Sequence, residues 1–302
     1  MKNKKSIVLT IGVFDGVHRG HQALIQKTIQ LARRLKAVSG AVTFQDHPMH
    51  VLKGGPRIPF LLPRYETFQL LQKQGTRLHV LNFTRAFSKK SPEQFVQWLM
   101  GLGKLKGIVV GENFRFGQGA IGNIAILKSL GKKYGFEVET VKAVRLKGKV
   151  VSSSLIRQFL ANGKTEEANL MLGRPYSIEG EVVHGRHVGH KIGFPTANLR
   201  AVKQYLPQNG VYACAVKLAG KYYRAGMNLG KRPTFPDDDH HRQAEVHILN
   251  YYGGLYGKQM RVYLLKYLRP EKKFSSSARL IRQIKMDLNQ VKRVSLEGLN
   301  LA

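Results

Sequence analysis

The sequence predicts two folded modules: an α/β domain on a parallel sheet, then a small antiparallel β-barrel with a C-terminal helix. Three observations carry this. At 302 residues the chain is long enough for two domains, each burying its own core. Near the start, Ile7 to Ile11 is a short apolar run rich in β-branched residues. Gly12 and Asp15-Gly16 break it, and helix formers resume from Ala23, so the stretch is strand, tight turn, helix. Beyond Gly173-Arg174-Pro175 the pattern changes to short strands and glycine turns. The boundary therefore falls after residue 173, giving modules 1–173 and 174–302.

In the first module, Ala37 to Phe44 reads as a second strand, ending at Thr43-Phe44-Gln45-Asp46-His47-Pro48. Lys53 to Pro63 is rich in Gly and Pro and reads as a loop. Arg64 to Gln74 has helical spacing, and His79 to Phe83 reads as a strand. Ser91-Pro92-Glu93-Gln94 is a helix start, with Ser as N-cap, Pro at N1 and Gln at N3. Gly107 to Gly111 is the most convincing central strand. It delivers Glu112-Asn113-Phe114-Arg115-Phe116-Gly117 to the carboxyl edge that also holds His18. Val151-Ser152-Ser153-Ser154-Leu155-Ile156-Arg157 follows another strand-like run. A Ser there can cap a helix, and hydroxyls with an Arg also suit a phosphate. Gln158 to Leu172 reads as one helix interrupted at Asn162-Gly163.

In the second module, strands are expected at 177–183, 211–218, 222–229, 244–249 and 260–267. The chain from Phe274 on is helical, with Leu280, Ile281, Ile284 and Leu288 on one face. Gly193-Phe194-Pro195-Thr196-Ala197-Asn198-Leu199 is extended. Thr196 and Asn198 are two apart and share a side, and such oxygen ligands suit Mg²⁺.

Composition excludes several classes. The single cysteine, Cys214, rules out a disulfide framework and a cysteine zinc site, and is expected to pack as a small apolar residue. No apolar run approaches membrane-span length. Ser6 to Ile11 is too short for a secretory h-region, so a cytoplasmic location is expected. The formal charge is +32, with +20 over residues 1–157 and +12 over 158–302, so no single basic tail explains it. A solvated basic surface is sufficient to account for it, and no zinc finger, RNP1 string or Arg-rich block accompanies it.

The turn at His18-Arg19-Gly20-His21 resembles the H-x-G-H motif of the nucleotidyltransferase superfamily. The longer Gly12-Val13-Phe14-Asp15-Gly16-Val17-His18 narrows the resemblance to the bacterial bifunctional riboflavin kinase/FAD synthetase family. The segment Thr43-Phe44…His47-Pro48, the string Gly111 to Gly117 and the run Val151 to Arg157 match that family's other adenylyltransferase motifs. The second module resembles its riboflavin kinase across nearly all its length. Matching strings there are Gly193 to Leu199, Gly210-Val211-Tyr212, Asn228 to Phe235 and Leu268 to Phe274.

The resemblance implies a Rossmann-like nucleotidyltransferase domain and a kinase barrel. Together they convert riboflavin to FMN, and FMN to FAD with release of pyrophosphate, using ATP as co-substrate and Mg²⁺ as cofactor. For the adenylyltransferase it implies His18 and His21 as catalytic. ATP and FMN contacts would come from Gly12, Phe14, Asp15, Gly16, Gly20, Asn113, Ser152, Ser153, Ser154 and Arg157. For the kinase it implies Glu245 as the catalytic carboxylate and Thr196 and Asn198 as the Mg²⁺ ligands. Substrate contacts would come from Gly189, Lys191, Gly193, Pro195, Asn228, Arg232 and Arg269. His247, two residues from Glu245 on one strand face, is a competing base. Val188 and His190 stand where the family usually carries basic residues, and Lys191 and Arg186 are positioned to compensate. The partners implied are small molecules, with no membrane. A flavin-sensing, RNA-binding regulator is the alternative that the charge allows, and the completeness of both motif sets argues against it.

The charge generates a prediction. Nucleic acid binding is expected to be weak and sequence-independent, and to collapse as salt rises, because phosphate contacts release counterions. Filter binding across a salt series checks this. Tight binding to one RNA sequence at high salt would contradict it.

Overall fold

The structure is a computed structural model that describes residues 4–53, 57–185, 192–200, 204–231, 242–297 and 299. The chain divides into two compact units, Met1–Ser153 and Ser154–Ala302.

The first unit is built on five parallel strands: β1 (Ser6–Ile11), β2 (Val38–Phe44), β3 (Arg77–Leu81), β4 (Lys104–Gly111) and β5 (Glu137–Val141). Their order is β3-β2-β1-β4-β5. The chain moves outward from β1 to β3, then returns to place β4 on the other side of β1. The carboxyl ends of β1 and β4 are thus the topological switch point, where open α/β sheets bind ligands. Both strands read as continuous apolar runs because both faces are covered. Val8 and Val109 pack with Leu31 and Ala32 on one face; Leu9, Ile11 and Ile108 join Phe95 and Leu99 in the larger cluster.

The helices follow local signals. The helix α1 (Arg19–Arg34) buries Ile25, Thr28, Leu31 and Ala32, a stripe at helical spacing. Its end carries Arg34, which pairs with Glu137 at 2.6 Å and Glu139 at 2.9 Å on β5. Next come α2 (Pro48–Lys53), α3 (Arg64–Lys73), α4 (Arg85–Ser88), α5 (Pro92–Gly101) and α6 (Ile124–Tyr134). The expected start of α5 is present as a full capping box between Ser91 and Gln94 with Pro92 inside it. The expected loop from Lys53 begins one residue late, since Lys53 closes α2. That helix escaped the sequence reading because its first residue is Pro48, which suits N1 but also marks turns. A short hairpin of β6 (Arg145–Leu146) and β7 (Lys149–Val150) precedes the Ser run.

The expected single helix over 158–172 is two: α7 (Ser153–Ala161) and α8 (Thr165–Leu172). Gly163, at φ 67°, separates them. Among the described residues the barrel has six strands, not the five read from the sequence: β8 (Tyr176–Val183), β9 (Ala197–Leu199), β10 (Gly210–Leu218), β11 (Lys221–Lys231), β12 (Arg242–Ile248) and β13 (Gln259–Arg269). They close in the order β10-β11-β12-β9-β8-β13. The added strand, β9, is three residues long and has no periodicity to detect. Along β12, Ala244, Val246 and Ile248 are buried while Glu245 is exposed and His247 half-buried. Period-2 geometry therefore puts Glu245 and His247 together on the outer face. Cys214 is fully buried, and that burial pushes its thiol pKa up, so it packs as a small apolar residue.

The C-terminal helix α9 (Ser277–Arg293) is capped by Ser276, whose Oγ accepts from the Arg279 N–H, and it lies against β10 and β11. Close approach needs Gly226: a Cβ there would meet Leu288 Cδ2 at 3.3 Å. A buried ion pair clamps the same helix. Arg269 Nε and Nη2 donate to Asp287 at 3.0 and 2.8 Å, and Gln283 Nε2 donates to the second carboxylate oxygen at 2.9 Å. Removing Asp287 strands a charge that sits 14% exposed. Asp287→Ala is therefore expected to destabilise the second unit by about 3–5 kcal/mol, measured by urea unfolding followed by circular dichroism. A loss within experimental error would show that the clamp is not structural.

Candidate functional site

In the first unit the switch point carries a tightly constructed turn. After β1, Phe14 adopts φ 53°, Gly16 φ 78° and Val17 φ 39°. Positive φ is rare for Phe and more so for β-branched Val, so the turn is held by its surroundings rather than by preference. Phe14 and Val17 are buried with Ile25, Ala41 and Leu71, so the Phe14 ring packs into the core beneath the turn. Asp15, 4% exposed, accepts the Leu61 N–H on Oδ1 at 2.8 Å, and its carbonyl accepts Ser153 Oγ–H at 2.8 Å. One residue thus joins the turn to the segment before α3 and to the Ser run.

His18 then caps α1. Its extended backbone (φ −70°, ψ 171°) turns Nδ1 onto the His21 N–H at 3.3 Å, and the two imidazoles stack with centroids 3.6 Å apart. His21 also meets the Phe14 ring edge-on at 5.3 Å. Gly20 makes this possible: a Cβ would lie 3.1 Å from His18 Cε1. The result is two stacked imidazoles at the N-terminus of a sixteen-residue helix, where N–H groups and the dipole favour an anion. Asn113, exposed beyond β4, lies at the same sheet edge, since β4 pairs directly with β1. Ser152 is half-buried. Ser154 and Arg157 lie on α7 in the second unit, where the Arg157 guanidinium stands 5.8 Å from the Tyr205 ring centroid.

The carboxyl edge of the first unit's sheet also carries an arginine that the motifs did not mark. Arg64, the first residue of α3, is largely buried, and burial pushes its pKa down to about 10. Nη1 donates to the Val13 carbonyl at 3.0 Å, and Nη2 donates to Thr43 Oγ1 at 2.9 Å and to the Phe44 carbonyl.

In the second unit, strand register assembles the site. Glu245 on β12 lies directly opposite Asn198 on β9 and Asn228 on β11. Asn228 faces Val211 on β10, and Val211 faces Arg269 on β13. Five neighbouring strands therefore place the predicted kinase residues in one transverse row. A cavity of about 400 Å³ opens over it, with Thr196, Asn228, Glu245 and His247 on one side and Leu280, Ile284 and Leu288 of α9 on the other. Its walls combine apolar side chains with a few polar groups, the make-up of a small-molecule site.

Neighbouring groups hold the row. Gln243 Nε2 donates to Asn198 Oδ1, and Asn228 Nδ2 donates to Glu271 Oε1 at 3.4 Å. His247 Nδ1 lies 2.8 Å from the Pro195 carbonyl. A carbonyl only accepts, so Nδ1 carries the proton in this arrangement. Gly193, at φ 83°, and Pro195 form the turn before Thr196. Arg269 lines the cavity, but its guanidinium is occupied by Asp287. Gly189, Lys191 and Arg232, with Arg186, Val188 and His190, lie outside the described residues.

Comparison with known proteins follows this division. Residues 1–155 match the FAD synthetase family model and residues 172–295 the riboflavin kinase model. A bifunctional riboflavin kinase/FMN adenylyltransferase from Buchnera aphidicola (Schizaphis graminum) is 35% identical over 303 residues, covering 97% of this chain and 95% of that protein. The Escherichia coli K12 protein of the same name is 35% identical, covering 94% and 91%. A crystal structure described as a macrolide-efflux protein from Streptococcus pneumoniae superposes with a TM-score of 0.88 at 31% identity, covering 98% and 96%.

Proposed function

The chain belongs to the bifunctional riboflavin kinase/FMN adenylyltransferase family, and from that membership we propose how its two sites divide the chemistry. It phosphorylates riboflavin to FMN and adenylylates FMN to FAD. We assign the adenylyl transfer to module 1–173 and the phosphorylation to module 174–302. The description of the Streptococcus pneumoniae structure concerns that protein, and among the described residues no helix is long and apolar enough to cross a membrane. A cytoplasmic setting, where ATP is supplied, suits both reactions.

For the kinase, the supporting observation is the row that puts Glu245 between Asn198 and Asn228 beneath the cavity. Riboflavin's primary alcohol attacks the γ-phosphorus of ATP, its proton passes to Glu245, and the bond to the ADP oxygen breaks. The isoalloxazine would lie against the apolar wall from α9. Thr196 and Asn198 would hold Mg²⁺: both offer neutral oxygens, and Gln243 fixes the Asn198 amide. When bound, the ion offsets charge on the ATP phosphates. His247 would steady the Pro195-Thr196 turn through its Nδ1–H rather than serve as the base. Arg269 would shape the site through α9, its charge being already paired.

For the adenylyltransferase, an FMN phosphate oxygen attacks the α-phosphorus of ATP and the bond to pyrophosphate breaks. His18, His21 and the first N–H groups of α1 would stabilise the charge developing on the leaving group. Asn113 would contact the ligand from β4, Gly12, Gly16 and Gly20 would let the backbone approach it, and Asp15 and Ser153 would hold the turn in shape.

Two predictions separate the modules. Glu245→Gln keeps shape but removes the basic oxygen, so FMN formation is expected to fall by about 10²–10⁴-fold while FAD still forms from supplied FMN. His247→Asn, whose Nδ2 can replace the donation to Pro195, is expected to retain most kinase turnover. Kinase turnover that survives in the Glu245 variant but is lost in the His247 variant would reverse the assignment. Conversely, His21→Ala is expected to lower FAD formation by about 100-fold with riboflavin phosphorylation intact. Both activities are read on one preparation by separating FMN from FAD, and an unchanged FAD rate would remove this histidine from the mechanism.

A further inference from the structure

Arg64 is a largely buried cation whose terminal nitrogens are satisfied but whose charge has no ion-pair partner among the described residues. Its acceptors are two backbone carbonyls and a hydroxyl. The guanidinium lies over the rings of Phe60 and Phe68, 4.8 and 4.9 Å from their centroids. Nε is buried and meets no acceptor among the described residues. The two carboxylates that act on it do so through space and are engaged elsewhere. Asp15 accepts from the Leu61 N–H, and Asp46 is paired with His50 at 2.8 Å and Arg57 at 3.4 Å. Carbonyls and aromatic faces satisfy a guanidinium but do not cancel its charge, and a buried charge without a partner is unfavourable.

Its place in the fold says what would complete it. Val13 follows β1, and Thr43 and Phe44 end β2, so the guanidinium crosslinks the carboxyl ends of adjacent parallel strands. That edge leads into the turn that carries His18 and His21. Leu61, three residues before Arg64, is the residue that Asp15 holds. Arg64 and Asp15 thus brace one turn from two sides.

We propose, on the reading that the first unit performs adenylyl transfer, that Arg64 is a positioning residue for the nucleotide: it fixes the β1 and β2 ends and supplies a buried positive charge that the phosphates of ATP complete. Its fork serves the fold and its charge serves binding, and the two can be separated by substitution. Lysine keeps the charge but lacks the rigid planar fork that spans these acceptors; glutamine keeps a donor but is neutral.

The test uses the full chain with FMN supplied, so that the KM for ATP reports the adenylyltransferase alone. Arg64→Gln is expected to raise that KM about tenfold, the scale of one charge-assisted contact. Arg64→Lys is expected to stay within about threefold of the parent, although its melting temperature falls as far as that of Arg64→Gln. Riboflavin phosphorylation should be unchanged in both. An unchanged KM in Arg64→Gln, or equal KM values in the two variants, would overturn the proposal and leave Arg64 a packing residue. If Arg64→Gln does not fold, Arg64→Lys decides alone, since a tenfold rise in its KM also overturns the proposal. The parent enzyme is assayed alongside: failure of the parent to make FAD from FMN refutes the reading itself, whereas turnover with unaltered variant KM refutes only the role of Arg64.

Discussion

The pairing register of β12 governs the second half of the molecule. Side chains alternate along a strand, so a slip of one residue would turn Glu245 into the barrel and Val246 out of it. The register is held by burial of Ala244, Val246 and Ile248, and by partners on both sides, β9 and β11. The other residues of the proposed kinase site are arranged on the face this leaves outside. Asn198 and Asn228 flank the carboxylate, and α9 supplies the apolar wall. Gly226 lets that helix approach, and the Arg269–Asp287 pair keeps it there.

The first unit reaches a comparable result by different means. A parallel sheet offers its ligand edge at the point where strand order reverses, and the turn after β1 is placed there by topology. What distinguishes this turn is how many separate segments hold it. Phe14 anchors it to the core, Asp15 ties it to Leu61 and Ser153, and Arg64 joins Val13 to the end of β2. The positive φ angles of Phe14 and Val17 are sustained by these contacts, and a stacked histidine pair at a helix N-terminus is what they hold in place.

Much of this was legible in the sequence, for physical reasons. Strand, turn and helix around His18 follow from apolar runs and glycines, and the Ser91 capping box from four residues. That there are two modules follows from the change in periodicity along the chain, whereas the compact units divide at Ser153/Ser154 and not at residue 173. Other features depend on contacts between residues distant in the chain. β9 is three residues long and is defined by its neighbours. The motif marks Phe14 as part of a binding string, and only the fold shows its ring in the core. The resemblance marks Arg269 as a substrate contact, and only the fold brings Asp287 of α9, eighteen residues later, onto its guanidinium. Arg64 lies in an ordinary helix start, and its partners are twenty and more residues away.

Riboflavin becomes FMN and FMN becomes FAD, two reactions in sequence on one chain. The most direct measurement is the product time course when the intact protein is given riboflavin, ATP and Mg²⁺ together, with FMN and FAD separated at each point. FMN is expected to rise first and FAD to follow as FMN accumulates, with pyrophosphate released in step with FAD. If neither flavin product forms, or if FAD does not form even from added FMN, the assignment of two working sites is contradicted.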